Sequence, residues 1–160
     1  MLELEDIQHF LLTRPRALAA RYGFLTFREP AQARAWLGGI IDKVGSGQKL
    51  ASGDAADTRW VTVAFTWNGL RALGVDEASL ATFPDEFRQG MAARAQVLGD
   101  TGANHPDHWV GGLASPDLHG LVILFARDVP ERERCVREHQ QYTSQFPGVE
   151  ALSILDLEAT

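Results

Sequence analysis

Cysteine occurs once in this chain of 160 residues, at Cys135. A lone thiol closes no intrachain disulfide and builds no multi-cysteine zinc cluster. Positive charge is short as well: 15 Lys and Arg stand against 21 Asp and Glu, for a net charge of −6. Nucleic-acid binders carry a basic excess, and anionic membrane surfaces attract one, so this balance argues against both partners. Long apolar runs are missing. The longest nearly apolar stretch, Gly120 to Ala126, is far too short to span a bilayer. The opening MLELEDIQHF has no basic segment followed by an apolar core, so it does not read as a secretory signal. Together these absences lead us to expect a cytoplasmic, reduced, soluble protein with no nucleic acid and no membrane among its partners.

What is present is average globular material, 45% hydrophobic and 22% charged. The length suits one domain with a sizeable core. Residues 20–27 read as a strand, with Tyr22 and Phe24 on one face and Leu25 and Phe27 on the other. Pro30 opens a helix at the position where its missing N–H costs nothing. Ala33, Trp36, Leu37, Ile40, Ile41 and Val44 then recur with helical period. A polar Gly/Ser/Asp loop spans 45–58. RWVTVAFTW (59–67) is a second strand by its β-branched and aromatic content. Short helical pieces are expected near 68–73 and 76–82, and a longer helix from about 84 to 98. That helix would turn Phe83, Phe87, Met91, Ala95 and Leu98 inward, Phe83 and Phe87 acting as a hydrophobic staple. A Gly/Pro/Asp-rich loop covers 99–117. Strand three runs 118–127, a charged helix 130–146 (Val129, Val136, Tyr142 and Phe146 inward), and strand four 149–157.

The order β-α-β, helical insertion, β-α-β predicts an α+β fold: a ferredoxin-like βαββαβ antiparallel sheet carrying a helical insertion, about 68–117, between strands two and three. The whole of 1–160 is read as a single such domain. One pattern is unusual. Helices cover only one face of such a sheet, and the other is normally polar. Here strand three is apolar on both faces: Leu118, Val122, Leu124 and Ala126 on one, Leu121, Ile123 and Phe125 on the other. Strand two adds Trp60 and Ala64 to that second face. Several large apolar side chains left together in water mark an interface. Something is therefore expected to pack there: the insertion, a second domain or a second subunit.

Chemistry-bearing residues are sparse. His105 and His108 in ANHPDHWVGG are the metal candidates, three residues apart with Asp107 between them. Pro106 argues against a helix and the chain has no HExxH-type pattern here, so a turn whose histidines bond nearby backbone is the plainer reading. His119, at the start of strand three, and His139, on the last helix, are formal axial candidates for an iron porphyrin, without supporting spacing. Cys135 sits in ERERCVREH, where opposed charges offset one another, and reads as a semi-buried helix residue. GSG at 45–47 comes after a helix and lacks the strand–loop–helix context of a phosphate cradle. Arg88 and Arg94 read as a solvated helix face. Spacing alone identifies no catalytic residue and no cofactor-binding residue.

The run FPDEFRQGMAARAQVLGDTGANHPDHWVGG (83–112) is similar to a run in dye-decolourising, or DyP-type, haem peroxidases. VAFTWNGLRALGV resembles the strand-two segment of that family, and EDIQ and ARAWL resemble its N-terminal portion. The resemblance covers nearly the whole chain in order. It implies the N-terminal half of a two-domain enzyme that holds haem b and oxidises organic substrates with hydrogen peroxide. A C-terminal ferredoxin-like half, or a second subunit, would then cover the apolar second face. The Gly-x-x-Asp-Gly motif of the family, its distal Arg and its proximal His normally come after this portion, and the chain contains no Asp-Gly dipeptide. His9 stands where many members have Gly. No catalytic or haem-ligating residue carries over, so the chain alone is expected to bind haem poorly and to be inactive. The alternative from a different class is a free-standing dimeric ferredoxin-like module that binds a small apolar ligand.

Overall fold

Two-residue alternation and β-branched content give four strands, and the computed structural model places them in one antiparallel sheet. It describes residues 3–12, 19–47 and 59–158. In chain order the elements are β1 (Ala19–Phe27), α1 (Pro30–Ile40), β2 (Trp60–Phe65), α2 (Trp67–Ala72), α3 (Glu77–Ala81), α4 (Asp85–Ala93), α5 (Ala95–Leu98), β3 (Gly120–Ala126), α6 (Val129–Thr143) and β4 (Val149–Glu158). The sheet order is β2-β3-β1-β4, every neighbouring pair antiparallel. This is the ferredoxin-like arrangement the element order predicts, with the helical insertion between β2 and β3. Residues 48–58, most of the expected polar loop, lie outside the described residues.

Helices α1 and α6 cover one sheet face. Leu25, Phe27, Val122, Leu124 and Val149 from the sheet meet Ala33, Trp36, Ile40 and Val136 from the helices. Trp36 anchors this layer, 1% exposed, with its indole N–H donating to Thr143 Oγ1 at 3.0 Å. Pro30 does open α1, but the helix ends at Ile40 and passes into a tighter 3-10 turn, Ile41–Lys43. The change of pitch rotates Ile41 into solvent, so the expected apolar stripe stops one residue short of it. Helix α6 starts on an Asp128 cap that accepts from the Glu131 amide at 2.9 Å. Two charged residues of its first turns are buried, Glu131 and Arg132. Each is paired: Glu131 accepts from Arg59 Nε and the Arg127 amide, and Arg132 donates to Glu133 and Glu158.

The insertion is closed at its root by Thr66. Its hydroxyl caps α2, accepting from the Gly69 amide, and donates to the Leu118 carbonyl at 2.6 Å. Thr66 and Leu118 thus lie outside the strands that sequence pattern assigned them to. The single helix expected over 84–98 is a correction. Gly90 sits at φ 73°, ψ 170°, a conformation essentially reserved for glycine, and kinks α4 within its length; at Arg94, φ −102°, ψ 7°, the chain leaves α4 before α5 begins. The i, i+4 stripe does not survive the break. Phe83 and Phe87 keep their staple, ring centroids 5.0 Å apart, but Met91 and Leu98 are exposed and only Ala95 is buried. The 99–117 loop contains three 3-10 turns.

Candidate functional site

Cross-strand register builds the second face row by row, because residues paired across antiparallel strands point to the same side. One row is Trp60, Phe125, Ala20 and Leu157; the next is Thr62, Ile123, Tyr22 and Leu155; the third is Ala64, Leu121, Phe24 and Ser153. Sequence pattern identifies this face correctly on β2 and β3, and the register extends it across β1 and β4. Its exposure is uneven. Trp60, Phe125, Ala20, Ile123 and Phe24 are buried, whereas Leu155 and Leu157 on β4 are 47% and 45% exposed.

Part of that burial comes from the chain itself. Phe10, ahead of β1, stacks on Phe125 with centroids 5.5 Å apart. At the other end of the face the insertion touches β4, where Ser153 Oγ donates to the Gly111 carbonyl. The neighbouring Val110 and Leu113 are exposed. Among the described residues, the exposed large apolar side chains of this sheet face are therefore Leu155 and Leu157 on β4.

A second feature is a groove of about 850 Å³ between the end of β2, α4 and the 109–118 segment. Phe65, Trp67, Phe87, Met91, Trp109 and Leu118 are among its walls. Arg71 lies over the Trp67 ring at 4.9 Å, and Trp109 is tied by its indole N–H to the Asn104 carbonyl at 2.9 Å. Arg88 is paired with Asp85 at 3.2 Å and Arg94 is half-buried beside the break in the helix.

The candidate histidines fall in three separate places. His105 and His108 are exposed; His105 Nδ1 accepts from the Asp107 amide at 3.3 Å and lies 3.2 Å from the Asp107 carboxylate. Among the described residues, no group of three His, Cys, Asp or Glu side chains is arranged to hold a metal ion. His119 Nδ1 accepts from the Phe27 amide at 2.9 Å, and burial lowers its pKa. His139 is turned inward against the edge of Trp36 and within 3.4 Å of Thr143 Oγ1; burial, aided by Lys43, lowers its pKa to about 4. Burial likewise raises the pKa of the half-buried Cys135 thiol. Axial ligation of haem calls for a His, Cys, Met or Tyr facing an enclosed space. Met91 is the one such side chain lining the groove, and it is 64% exposed. The lining of this groove does not by itself make a haem site.

Comparison with known proteins decides the family. Residues 30–151 match the DyP dimeric alpha+beta barrel domain. The chain belongs to this family. Peroxidase 2 of Mycetinis scorodonius is 29% identical over 124 residues, 77% of this chain and 23% of the relative. A dye-decolorizing peroxidase of Exidia glandulosa is 26% identical over 130 residues, 79% of this chain and 24% of the relative. The DyP-family chain thus spans about a quarter of the length of these curated relatives. A fungal DyP-type peroxidase from Auricularia auricula-judae superposes with a TM-score of 0.80 at 24% identity, over 99% of this chain and 34% of that one. An ancestral D-type dye-decolorizing peroxidase gives 0.81 at 22%, over 99% and 35%. At these identities the superpositions establish the fold. One further relative, with a TM-score of 0.80 at 22% identity over 98% of this chain and 34% of that one, is a dye-decolorizing peroxidase whose heme pocket has been engineered for asymmetric sulfoxidation.

Sequence reasoning passed over three features of this DyP-family domain. The kink at Gly90 leaves no composition signal beyond a lone Gly in a helical pattern. The Ser153 contact depends on where the insertion ends. The Gln8 side chain reaches β2 across 55 residues, a contact that no local pattern signals.

Proposed function

We propose that this domain is the N-terminal ferredoxin-like half of a DyP-type haem peroxidase, an enzyme that oxidises organic substrates with hydrogen peroxide. Its own contribution is architectural: a rigid sheet whose second face forms one wall against a C-terminal ferredoxin-like half. The observation that carries this reading is the exposed Leu155 and Leu157 column on a face otherwise made of buried aromatic and branched side chains. Each such leucine covered by a partner contributes roughly 1.5–3 kcal/mol. Haem b belongs to the completed enzyme, where it supplies the redox chemistry of peroxide cleavage. The residues of this chain would exclude water from one side and would neither ligate iron nor move a proton between the peroxide oxygens.

Titration of hemin into the isolated chain, monitored at the Soret band, tests this. Weak, non-stoichiometric binding and negligible peroxidase turnover are expected. Tight one-to-one binding with turnover would show that the chain holds its own ligand. The same leucine column also suits a homodimer, and light scattering separates the two: a stable dimer that binds a small apolar ligand favours the free-standing module.

A further inference from the structure

Every tryptophan brings an N–H donor along with its apolar ring, and a folded chain has to find that donor a partner. Trp36 gives its indole N–H to Thr143, and Trp109 gives its own to the Asn104 carbonyl. Trp67 breaks the pattern. Its Nε1 is buried and, among the described residues, has no hydrogen-bond partner. A buried donor left unpaired costs stability that an acceptor beside it would restore. Trp67 is in the wall of the groove between β2, α4 and the 109–118 segment. Arg71, one turn further along α2, lies over the same ring at 4.9 Å. It is exposed, and among the described residues it makes no ion pair. Two donors thus meet at one indole, one of them charged, and neither has an acceptor among the described residues.

The groove itself suits a flat ring. Its 850 Å³ is the size of a small-molecule site. Phe65, Phe87 and Trp109 supply aromatic surface, and Met91 supplies a polarisable thioether. One side is fixed: the Thr66 hydroxyl donates to the Leu118 carbonyl at 2.6 Å, and the Asn68 side-chain amide donates to the Pro116 carbonyl at 3.0 Å. The other side, α4, has no buried residue and is kinked at Gly90, so it can adjust to what enters. Glu86 and Asp100 also line the groove and act against a second negative charge. The groove lies at the Phe65–Gly120 end of the sheet, whereas Leu157 shares a row with Trp60 at the opposite end.

We propose that this groove is a binding site for an aromatic monocarboxylate, its ring against Phe87, Met91 and Trp109 and its carboxylate accepting from Trp67 Nε1 and the Arg71 guanidinium. A carboxylate answers both donors, and its hydrogen bond to a guanidinium is stronger than that of a neutral acceptor. Because Nε1 is closed to solvent in the free chain, the indole turns slightly to meet the carboxylate, and the new bond offsets that turn. A cationic ring would be repelled by Arg71 and would leave the Trp67 N–H unpaired. A dicarboxylate would meet Glu86 and Asp100. The site needs neither haem nor a C-terminal half, and so goes beyond the architectural role of the second face.

The test titrates the isolated chain with naphthoate, and with naphthylmethylammonium as the cationic control. It is read by the indole N–H resonances and by calorimetry. The Trp67 resonance is expected to move downfield and saturate with naphthoate, and to stay in place with the ammonium. Trp67→Phe keeps an aromatic wall without the N–H, and Arg71→Gln removes the charge from an exposed position. Each is expected to weaken naphthoate binding by roughly tenfold. Arg71→Gln decides the matter if Trp67→Phe does not fold. No saturable movement of the Trp67 resonance overturns the site. Naphthoate affinity unchanged in either folded variant overturns the two-donor recognition, and ammonium binding as tight as naphthoate overturns the choice of an anion. Hemin plays no part in these measurements, so their failure leaves the reading of the second face standing.

Discussion

His139 is held neutral by the packing that surrounds it. Its ring meets the edge of Trp36 at 6.0 Å, and Lys43 adds a like-signed field. The folded pKa near 4 lies below the ordinary value of 6.5. Between those values the unfolded chain binds the proton and the folded chain does not. Stability from this group is therefore complete above about pH 6.5 and declines as pH falls toward about 4. A shift of this size corresponds to roughly 3 kcal/mol. His119 moves in the same direction, since burial disfavours its charged form and its Nδ1 must stay free of a proton to accept from Phe27. Urea midpoints measured from pH 8 to pH 4 should fall in the wild type and fall less in His139→Gln. A slope unchanged by that substitution would place the acid sensitivity elsewhere. Asp156, whose pKa is lowered chiefly by its hydrogen bond from Arg21, acts in a lower window, losing its contribution only as pH drops below the carboxylate range.

The insertion shows at the scale of an element how one residue redirects many. Phe83, Phe87, Met91, Ala95 and Leu98 have the spacing of a buried stripe, and an unbroken helix would bury them together. Gly90 at φ 73° turns the chain out of the α4 axis, so Phe87 and Met91 line a groove while Leu98 faces solvent. Nothing lies within 4 Å of a Cβ built at Gly90. Gly90→Ala thus meets no steric clash, and its whole cost is backbone strain, of order 1–3 kcal/mol. Thermal unfolding should register that loss. A variant as stable as the wild type would mean that the helix can run straight through 90 and that the groove is not built into the fold.

Two edges and two faces organise the molecule as a whole. One face is closed by α1 and α6, one edge by Gln8 and Val44, and the β2–β3 side of the second face partly by Phe10. Exposed apolar surface on the second face is concentrated on β4. Leu155→Ser with Leu157→Ser should change the stability of the isolated chain little, within about 0.5 kcal/mol per site as at other surface positions. The pair should nevertheless lower the fluorescence of a dye that binds exposed apolar surface. No change in dye binding would remove the β4 column as the docking surface. Among the described residues no helix is long and apolar enough to cross a membrane.

Element order, the ferredoxin-like topology and the two-faced apolar character of β3 were legible in the chain because they arise from local periodicity: period two in Leu121 to Phe125, period 3.6 in Ala33 to Ile40. The family was legible by a different route, the resemblance of a continuous run over 83–112. Long-range placement was not. Whether Phe87 and Met91 are core or groove depends on one glycine dihedral. That Gln8 replaces a strand at Val63 depends on a contact across 55 residues. Which part of the second face stays open depends on where Phe10 and Gly111 come to rest. Periodicity says which side of an element is apolar; only the assembled tertiary structure decides what covers it, because coverage is set by segments that are neighbours in space and strangers in sequence.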